Sequence, residues 1–290
     1  MDLVVGATGF VGKSVALGLA RTGRKVRAML RGGAGRAEAK HLVDAGIEVV
    51  DGDVTRPETL PLACTGIDAV VNTATSMPQG RDDGLRRVDL EGGLALIEAA
   101  DRAGVSKFVY VSYSRNIHED CLLSLAKRSC EHRLLVSRMV AVVLRPSYFM
   151  QAWLGPALGF DPQKGSARVY GSGEEKVSYI SAYDVVDFAV ATVIMAEPRR
   201  VTLELGGPEP LSQLDAVRTF EETLGKKFSL EFVPIETLRA QHASSDPLQK
   251  TFSALMLDYA KGDVIPESRA NADRFGIYLH SVADYARTFR

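Results

Sequence analysis

Near the start of the chain, Gly6-Ala7-Thr8-Gly9-Phe10-Val11-Gly12 follows directly on the short apolar run Leu3-Val4-Val5. Three glycines at this spacing, between a strand and a helix, make a seat for a diphosphate. One turns the chain, one lets the backbone approach the phosphate, and one allows the helix to pack closely on the strand. The helix that follows aims free N–H groups and the positive end of its dipole at the anion. The next apolar run, Val26–Leu30, ends in Arg31, where binders of NAD usually carry Asp or Glu for the ribose 2′-hydroxyl. A guanidinium there suits a 2′-phosphate, through charge-assisted bonds worth ~1.5–3 kcal/mol. The expected cofactor is NADP(H). Gly32, Gly33 and Gly35 keep the next loop open, and Arg36 or Lys40 is placed to supply a second positive charge.

A competing motif overlaps this one. Ala7 to Ser14 reads as a P-loop with alanine in place of its first glycine, in which Lys13 would reach the β- and γ-phosphates and Ser14 would hold Mg²⁺. Gly6, immediately after the apolar run, sets the dinucleotide register instead. Lys13 and Ser14 then become ordinary residues of the first helical turn, and no metal is expected.

These motifs need a scaffold. Short apolar runs at Leu3–Val5, Val26–Leu30, Ile47–Asp51, Ala69–Asn72, Phe108–Val111 and Val140–Leu144 alternate with helical patterns at Val11–Arg21, Arg36–Ala45, Pro57–Ala63, Arg86–Ala103 and Leu122–Ser137. That alternation predicts an α/β fold, a Rossmann-type doubly wound parallel sheet. Gly23, Gly46, Gly66 and Gly104 stand where the helices should stop. Residues 1–150 form the expected NADP-binding domain, and 176–205 (strand Val177–Ser181, helix Tyr183–Met195, strand Val201–Leu205) are expected to rejoin its sheet. The glycine- and proline-rich 151–175, together with 206–290, would make a small C-terminal α/β lobe for substrate. That lobe should hold a helix near Leu211–Leu224 and a strand near Ser229–Val233.

The bulk properties narrow the function. The chain has 290 residues, 46% hydrophobic and 24% charged, with a net charge of −1. No run of one sign recruits nucleic acid or an anionic membrane. No stretch reads as a signal peptide or reaches the length of a membrane span. Three cysteines (Cys64, Cys121, Cys130) in no metal-binding spacing read as free thiols of a reducing, cytoplasmic compartment.

In order along the chain stand Gly6–Gly12, Val26-Arg27-Ala28-Met29-Leu30-Arg31, Gly52-Asp53-Val54, Phe108-Val109-Tyr110-Val111-Ser112, Lys127 with Glu131, Leu144-Arg145-Pro146-Ser147-Tyr148-Phe149, and Tyr179-Ile180-Ser181-Ala182-Tyr183-Asp184-Val185. Together they resemble the NmrA-like, atypical branch of the short-chain dehydrogenase/reductase superfamily. The resemblance covers about the first 185 residues and fades beyond Gly206. It implies an NAD(P)-binding protein in which Gly6, Thr8, Gly9, Phe10, Val11 and Gly12 hold the diphosphate and Arg31 the 2′-phosphate. Asp53 and Val54 would sit at the adenine, Thr73, Ala74 and Thr75 would line the diphosphate and nearby ribose, and Pro146 and Phe149 would border the nicotinamide.

One departure matters. Many members of the superfamily use Tyr-x-x-x-Lys, in which the ammonium lowers the phenol pKa for proton transfer. None of the nine tyrosines here has lysine four positions on; Lys127 has Leu123 in the tyrosine's place. Lys127 borders an apolar stripe of Leu123, Ala126, Cys130 and Leu134. It reads either as a cofactor-ribose ligand and proton donor, or as a packed stem whose head pairs with Glu131. Tyr113, Tyr148 and Trp153 are the candidate substrate contacts, with plain core packing as the alternative; His118 reads as a solvated loop residue.

Three functions follow. The first is an NADPH-dependent oxidoreductase of a small apolar, quinone-like or aromatic substrate, needing little side-chain acid–base help. The second is a non-catalytic NADP(H) sensor with a protein partner. The third is a scaffold that the cofactor stabilises.

Overall fold

The apolar run before the glycine motif becomes a strand, β1 (Asp2–Val5), buried along all four residues. Burial on both faces is what a central parallel strand requires, and it explains the unbroken apolar run. Even Asp2 is fully buried, its carboxylate held by the Arg24 guanidinium. The structure, a computed structural model, describes residues 1–77, 83–195 and 200–290. The chain divides into two units. Met1–Ser112, Leu122–Leu144 and Val186–Leu203 form the first; Tyr113–Cys121, Arg145–Val185 and Glu204–Arg290 form the second.

In the first unit β1 is followed by α1 (Phe10–Arg21), β2 (Val26–Leu30), α2 (Lys40–Asp44), β3 (Glu48–Asp51), α3 (Leu60–Cys64), β4 (Ala69–Asn72), α4 (Gly93–Arg102), β5 (Lys107–Val111), α5 (Leu122–Leu135) and β6 (Val140–Pro146). The strands β1 to β6 pair in parallel in the order 6-5-4-1-2-3. This is the Rossmann order, which reverses direction between β1 and β4 and so opens a crevice at their carboxyl ends. Leu3, Val5, Met29, Leu60, Leu96, Ile97, Phe108 and Leu134 pack into the core on one side of the sheet. Gly104, at φ +78°, ends the helical path after α4 in a conformation that side-chain-bearing residues rarely adopt. A π-helical turn, Leu85–Gly92, leads into α4, so the helix expected over Arg86–Ala103 has two geometries.

The remaining elements are α6 (Met150–Trp153), β7 (Phe160–Asp161), β8 (Ser166–Tyr170), β9 (Lys176–Val177), α7 (Ala182–Ile194), β10 (Val201–Leu205), β11 (Leu211–Ser212), α8 (Gln213–Leu224), β12 (Ser229–Val233), α9 (Ile235–His242), α10 (Pro247–Lys261), α11 (Ser268–Phe275) and α12 (Val282–Arg287). β10 adds a seventh strand beside β6. The expectation that residues 176–205 all rejoin this sheet is corrected: β9 pairs antiparallel with β11 instead. Backbone groups just after β9 are satisfied one by one, Ser178 N by Asp263 O and Ile180 N by Tyr148 O. A ladder position in the large sheet would leave those partners unmet.

The second unit also holds a three-stranded sheet ordered β12-β8-β7, parallel on one side of β8 and antiparallel on the other. The glycine- and proline-rich segment 151–175 thus contributes two strands to it, β7 and β8. Phe160, Phe220 and Phe228 pack together near this sheet, with Tyr285 and Phe289 against Phe220. Ser212 with Asp215, and Ser281 with Asp284, form capping boxes that start α8 and α12.

Asp184, wholly buried at the start of α7, accepts hydrogen bonds from the backbone N and the Nδ1 of His280. Burial nonetheless pushes its carboxyl pKa up to about 6, against an ordinary value of 3.8. A folded-state pKa above the unfolded one means that folding takes up a proton between about pH 4 and 6, so stability falls as pH rises through that window. Asp184→Asn should remove this slope from the melting temperature measured between pH 4 and 6. A slope that persists in the variant would assign the pH dependence elsewhere.

Candidate functional site

The site begins where β1 meets α1. Gly6 turns the chain at φ +86°, and a Cβ there would lie 2.6 Å from Thr73 Oγ1 and 2.8 Å from Ala74 N. A Cβ on Gly12 would stand 2.4 Å from Gly6 O, so α1 could not sit this close to the strand. Gly9 differs: its Cβ would touch only Gly6 O, at 3.4 Å, leaving its outer side open. α1 starts after Gly9 with no side-chain cap and no acidic residue in its first turn. Gly9 N donates to Gly6 O and Lys13 N to Gly9 O, each at 2.9 Å, while the N–H groups of Val11 and Gly12 have no intrahelical acceptor. The cradle fits an anion. The same register overturns the P-loop alternative for Lys13.

The neighbouring strand ends complete this part. Thr73 gives its hydroxyl to Val5 O (3.0 Å), fixing the close approach of β4 to the glycine turn. Ala74 N donates to the buried Asn72 Oδ1, and Thr75 Oγ1 accepts from Met77 N. Thr8 and Phe10 are exposed at the rim and Val11 is half-buried. Arg31 is exposed just past β2 and makes no ion pair among the described residues. Arg36 and Lys40 are committed elsewhere, Arg36 to Glu38 (2.7 Å) and Lys40 to Asp44 (3.0 Å). A cavity of about 300 Å³ opens beside the glycine turn, lined by Ala7, Thr8, Lys13, Ala37, Glu38 and His41.

Asp53 caps its own turn, its Oδ1 accepting from Thr55 N and Oγ1 at 2.9 Å. Val54 is buried and meets Gly92, where a Cβ would approach Val54 Cβ to 2.9 Å. Its place in the core gives Val54 a packing role whatever binds beside it.

The apolar stripe of α5 is buried as its spacing implies, with Leu123, Ala126, Cys130 and Leu134 all in the interior. Lys127 is buried with them. Its Nζ donates to Val111 O (3.1 Å), at the carboxyl end of β5, and lies 5.2 Å from the centre of the Tyr110 ring. The expected alternative partner, Glu131, accepts instead from Ser112 Oγ and Arg128 Nη1. Leu123 therefore leaves Lys127 without a phenol one turn away, and Tyr110 is too deeply buried to replace it. Burial raises the Tyr110 pKa well above the ordinary value, which keeps that ring neutral.

Sequence reading missed Asp89, on the π-helical turn. It is buried and accepts from Ser76 N (2.9 Å) and Ser76 Oγ (2.7 Å), tying the loop after β4 to that turn. An acid within an otherwise apolar helical face is the signal that could have found it.

The second unit holds the remaining candidates. Tyr148 is buried, its hydroxyl donating to Leu255 O and its ring 4.6 Å from Trp153 and 5.0 Å from Tyr259. Trp153 lies 4.4 Å from Tyr259. These rings form a packing cluster, and burial raises the Tyr148 pKa far above its usual range. Pro146 is buried, and Phe149 N-caps α6. Tyr113 is buried at the start of a loop that Asp258 and Asp263 hold down: Asp258 accepts from His118 N and Glu119 N, Asp263 from Ser114 Oγ and Asn116 Nδ2.

A family model described as the NmrA-like family matches residues 3–255. The chain belongs to the NmrA-like family. Among its relatives, the photosystem II assembly factor Ycf39 of Trieres chinensis is 30% identical, over 82% of this chain and 73% of that protein. An NAD(P)H azoreductase of Xenophilus azovorans is 27% identical over 92% of both. Among solved structures, the Escherichia coli NADPH-dependent quinone oxidoreductase QOR2 complexed with NADPH superposes with a TM-score of 0.81 at 20% identity, covering 100% of this chain and 99% of that one. The Citrobacter sp. triphenylmethane reductase complexed with NADP(H) gives 0.81 at 19%, covering 99% of each. In this NmrA-like chain no described helix is long and apolar enough to cross a membrane.

The three motif glycines differ in what they tolerate. Gly12→Ala should cost ~1–3 kcal/mol of stability, the usual penalty for forcing atoms into a filled space, whereas Gly9→Ala should melt within a degree or two of wild type. Thermal unfolding of both variants reads this directly; equal losses would contradict the division of roles.

Proposed function

We propose that this protein binds NADP(H) and reduces a small apolar, quinone-like or aromatic substrate. The observation that carries the reading is the cradle at β1–α1, two Cβ-intolerant glycines backed by the open N–H groups of Val11 and Gly12, with Arg31 beyond β2 in no ion pair among the described residues. Gly6, Thr8, Gly9, Phe10, Val11 and Gly12 would hold the diphosphate, and Arg31 the 2′-phosphate. Asp53 and Val54 would lie at the adenine, and Thr73, Ala74 and Thr75 along the diphosphate and ribose. Bound NADPH would supply a hydride. The similarity to an azoreductase along nearly the whole chain supports that chemistry.

Lys127, held at Val111 O, would grip the nicotinamide ribose and keep its ammonium beside it. Pro146 and Phe149 would border the nicotinamide, and Tyr113, Tyr148 and Trp153 would shape the substrate's surroundings. With leucine in the tyrosine's place, the fitting substrates are those whose two-electron reduction completes with a proton from solvent: quinones, azo compounds and related conjugated acceptors.

A second reading has its own support, the 30% identity to a protein named as an assembly factor. In it the protein binds NADP(H) tightly without turnover, and a protein partner's affinity follows the cofactor's redox state. By linkage, the partner must then alter cofactor affinity by the same factor.

Calorimetric titration with NADPH and NADH, followed by NADPH oxidation across a quinone and azo panel, separates the readings. The reductase reading expects preference for NADPH by about tenfold to a hundredfold, lost in Arg31→Ala, and substrate-dependent oxidation of NADPH. Lys127→Met should weaken cofactor binding and slow turnover. Tight binding with no acceptor accelerating oxidation above buffer would favour the assembly reading, and equal affinity for the two cofactors would remove both.

A further inference from the structure

The second unit leaves one sheet edge open. In the sheet ordered β12-β8-β7, no described strand follows β12 on its outer side. Ser229 N donates to Gly165 O and Val233 O accepts from Gly171 N, each at 2.9 Å. The register is parallel, from Ser229 beside Ser166 to Val233 beside Tyr170, and in such a pair alternate residues turn their backbone groups toward the neighbouring strand. Ser229, Glu231 and Val233 therefore face β8, while Leu230 and Phe232 aim their N–H and C=O groups at the open side. The side chains of Leu230 and Phe232 are also uncovered, at 40% and 52% exposure. They lie in register with the buried Ala167 and Val169, so β12 carries the apolar face of the sheet out to its rim.

Edge strands are commonly guarded by proline, by lysine or by a bulge. β12 contains no proline and no lysine. Its one charge, Glu231, sits on the opposite face, 3.2 Å from Arg168 of β8. What fits such an edge is another extended strand, and the local sequence suits its own copy. We infer that β12 pairs antiparallel with β12 of a second copy of this chain, about a two-fold axis at Leu230. That register sets Leu230 against its own copy and Phe232 opposite Phe228 of the partner subunit. On the other face Glu231 stands opposite Ser229 of the partner subunit and diagonal to Lys227 of the partner subunit, a complementary charge. Lys227 is 89% exposed, and its surface pair with Glu221 holds it only weakly. Moving the axis to Glu231 would oppose two carboxylates, and moving it to Ser229 would oppose Phe232 and Lys226 of the partner subunit.

An isologous contact of this kind closes on itself and gives a dimer, not a fibre. Phe228 N already donates to Glu221 Oε1 (2.8 Å), so the new ladder is short. Its area falls below the ~1,200–2,000 Å² of stable interfaces, and the expected dissociation constant is on the order of 10 µM. None of the pairing residues is among those assigned to cofactor or substrate.

Sedimentation velocity of the full chain between about 1 and 100 µM reads the assembly directly. Wild type should pass from monomer to dimer across that range. Leu230→Pro removes only an outward N–H, a change that edge strands accept, so it should remain monomeric and melt near wild type at the lowest concentration. Phe232→Lys adds a guarding charge at a half-exposed position and should also remain monomeric; it decides alone if the proline variant fails to fold. The register is read by single cysteines, because Cys64, Cys121 and Cys130 are buried. With oxidised glutathione as the oxidant, Leu230→Cys should form an intermolecular disulfide about tenfold faster than Ser229→Cys or Glu231→Cys, since only at the axis do like residues face each other at ~5.5 Å between Cα atoms. A wild type that stays monomeric at the highest concentration overturns the inference and leaves the edge to a strand from another protein. A dimer that survives Phe232→Lys and any folded Leu230→Pro overturns it too, as does a disulfide that forms faster at residue 229 or 231.

Discussion

The close contact between the β1–α1 turn and the end of β4 is the constraint on which the rest depends. Gly6 has no room for a Cβ because Thr73 and Ala74 fill that space, and Gly12 has none because Gly6 O does. The Thr73 hydroxyl closes the contact by bonding Val5 O. Once the backbone is drawn this tightly together, the first turn of α1 is presented end-on with unmet donors. A helix N-terminus carries about half a positive charge, so such an arrangement is stable in isolation only because water solvates it, and it favours an anion strongly. The parallel sheet supplies the geometry: its order reverses at β1 and β4, the two strands whose ends form the cradle.

Charge follows the same logic. Around the crevice most ionic groups are paired internally, such as Arg36 with Glu38 and Arg56 with Asp51. Among the described residues, Arg31 and Lys13 are in no ion pair. Exposed pairs contribute little to stability, so their value here is that they decide which cations stay available to a ligand. Lys127 shows the buried version. Removing an ammonium from water is costly unless its protons find acceptors, and the carbonyl of Val111 with the face of Tyr110 meet part of that demand. A lysine so held is fixed in position, which suits the holding of a ribose better than a flexible surface lysine would.

Some of this was open to a reader of the sequence and some was not. The strands Val26–Leu30, Ala69–Asn72, Val201–Leu205 and Ser229–Val233 were visible as apolar or β-branched runs between turn residues, and they form with those bounds. The short run Val177–Ser181 looked the same and went elsewhere. Local pattern states that a segment favours extended backbone but not which strand will satisfy its hydrogen bonds; here Asp263, Tyr148 and Leu211 compete successfully for them. Tyr148 and Trp153 illustrate a related limit, because an aromatic after a strand reads alike whether it walls a pocket or packs on Tyr259. Asp89 was missed because burial of an acid depends on Ser76, a residue of a different element.

By itself the sequence determined the Rossmann sheet, the anion cradle and the absence of a tyrosine ahead of Lys127, since each follows from residue type at a fixed local spacing. Only the tertiary structure decided which charges are free. Arg36 and Lys40 look as available as Lys13 in one dimension, and folding pairs the first two with carboxylates while turning the third, with His41, toward a common cavity. Electrostatic availability depends on distances across elements, and no spacing along the chain encodes those.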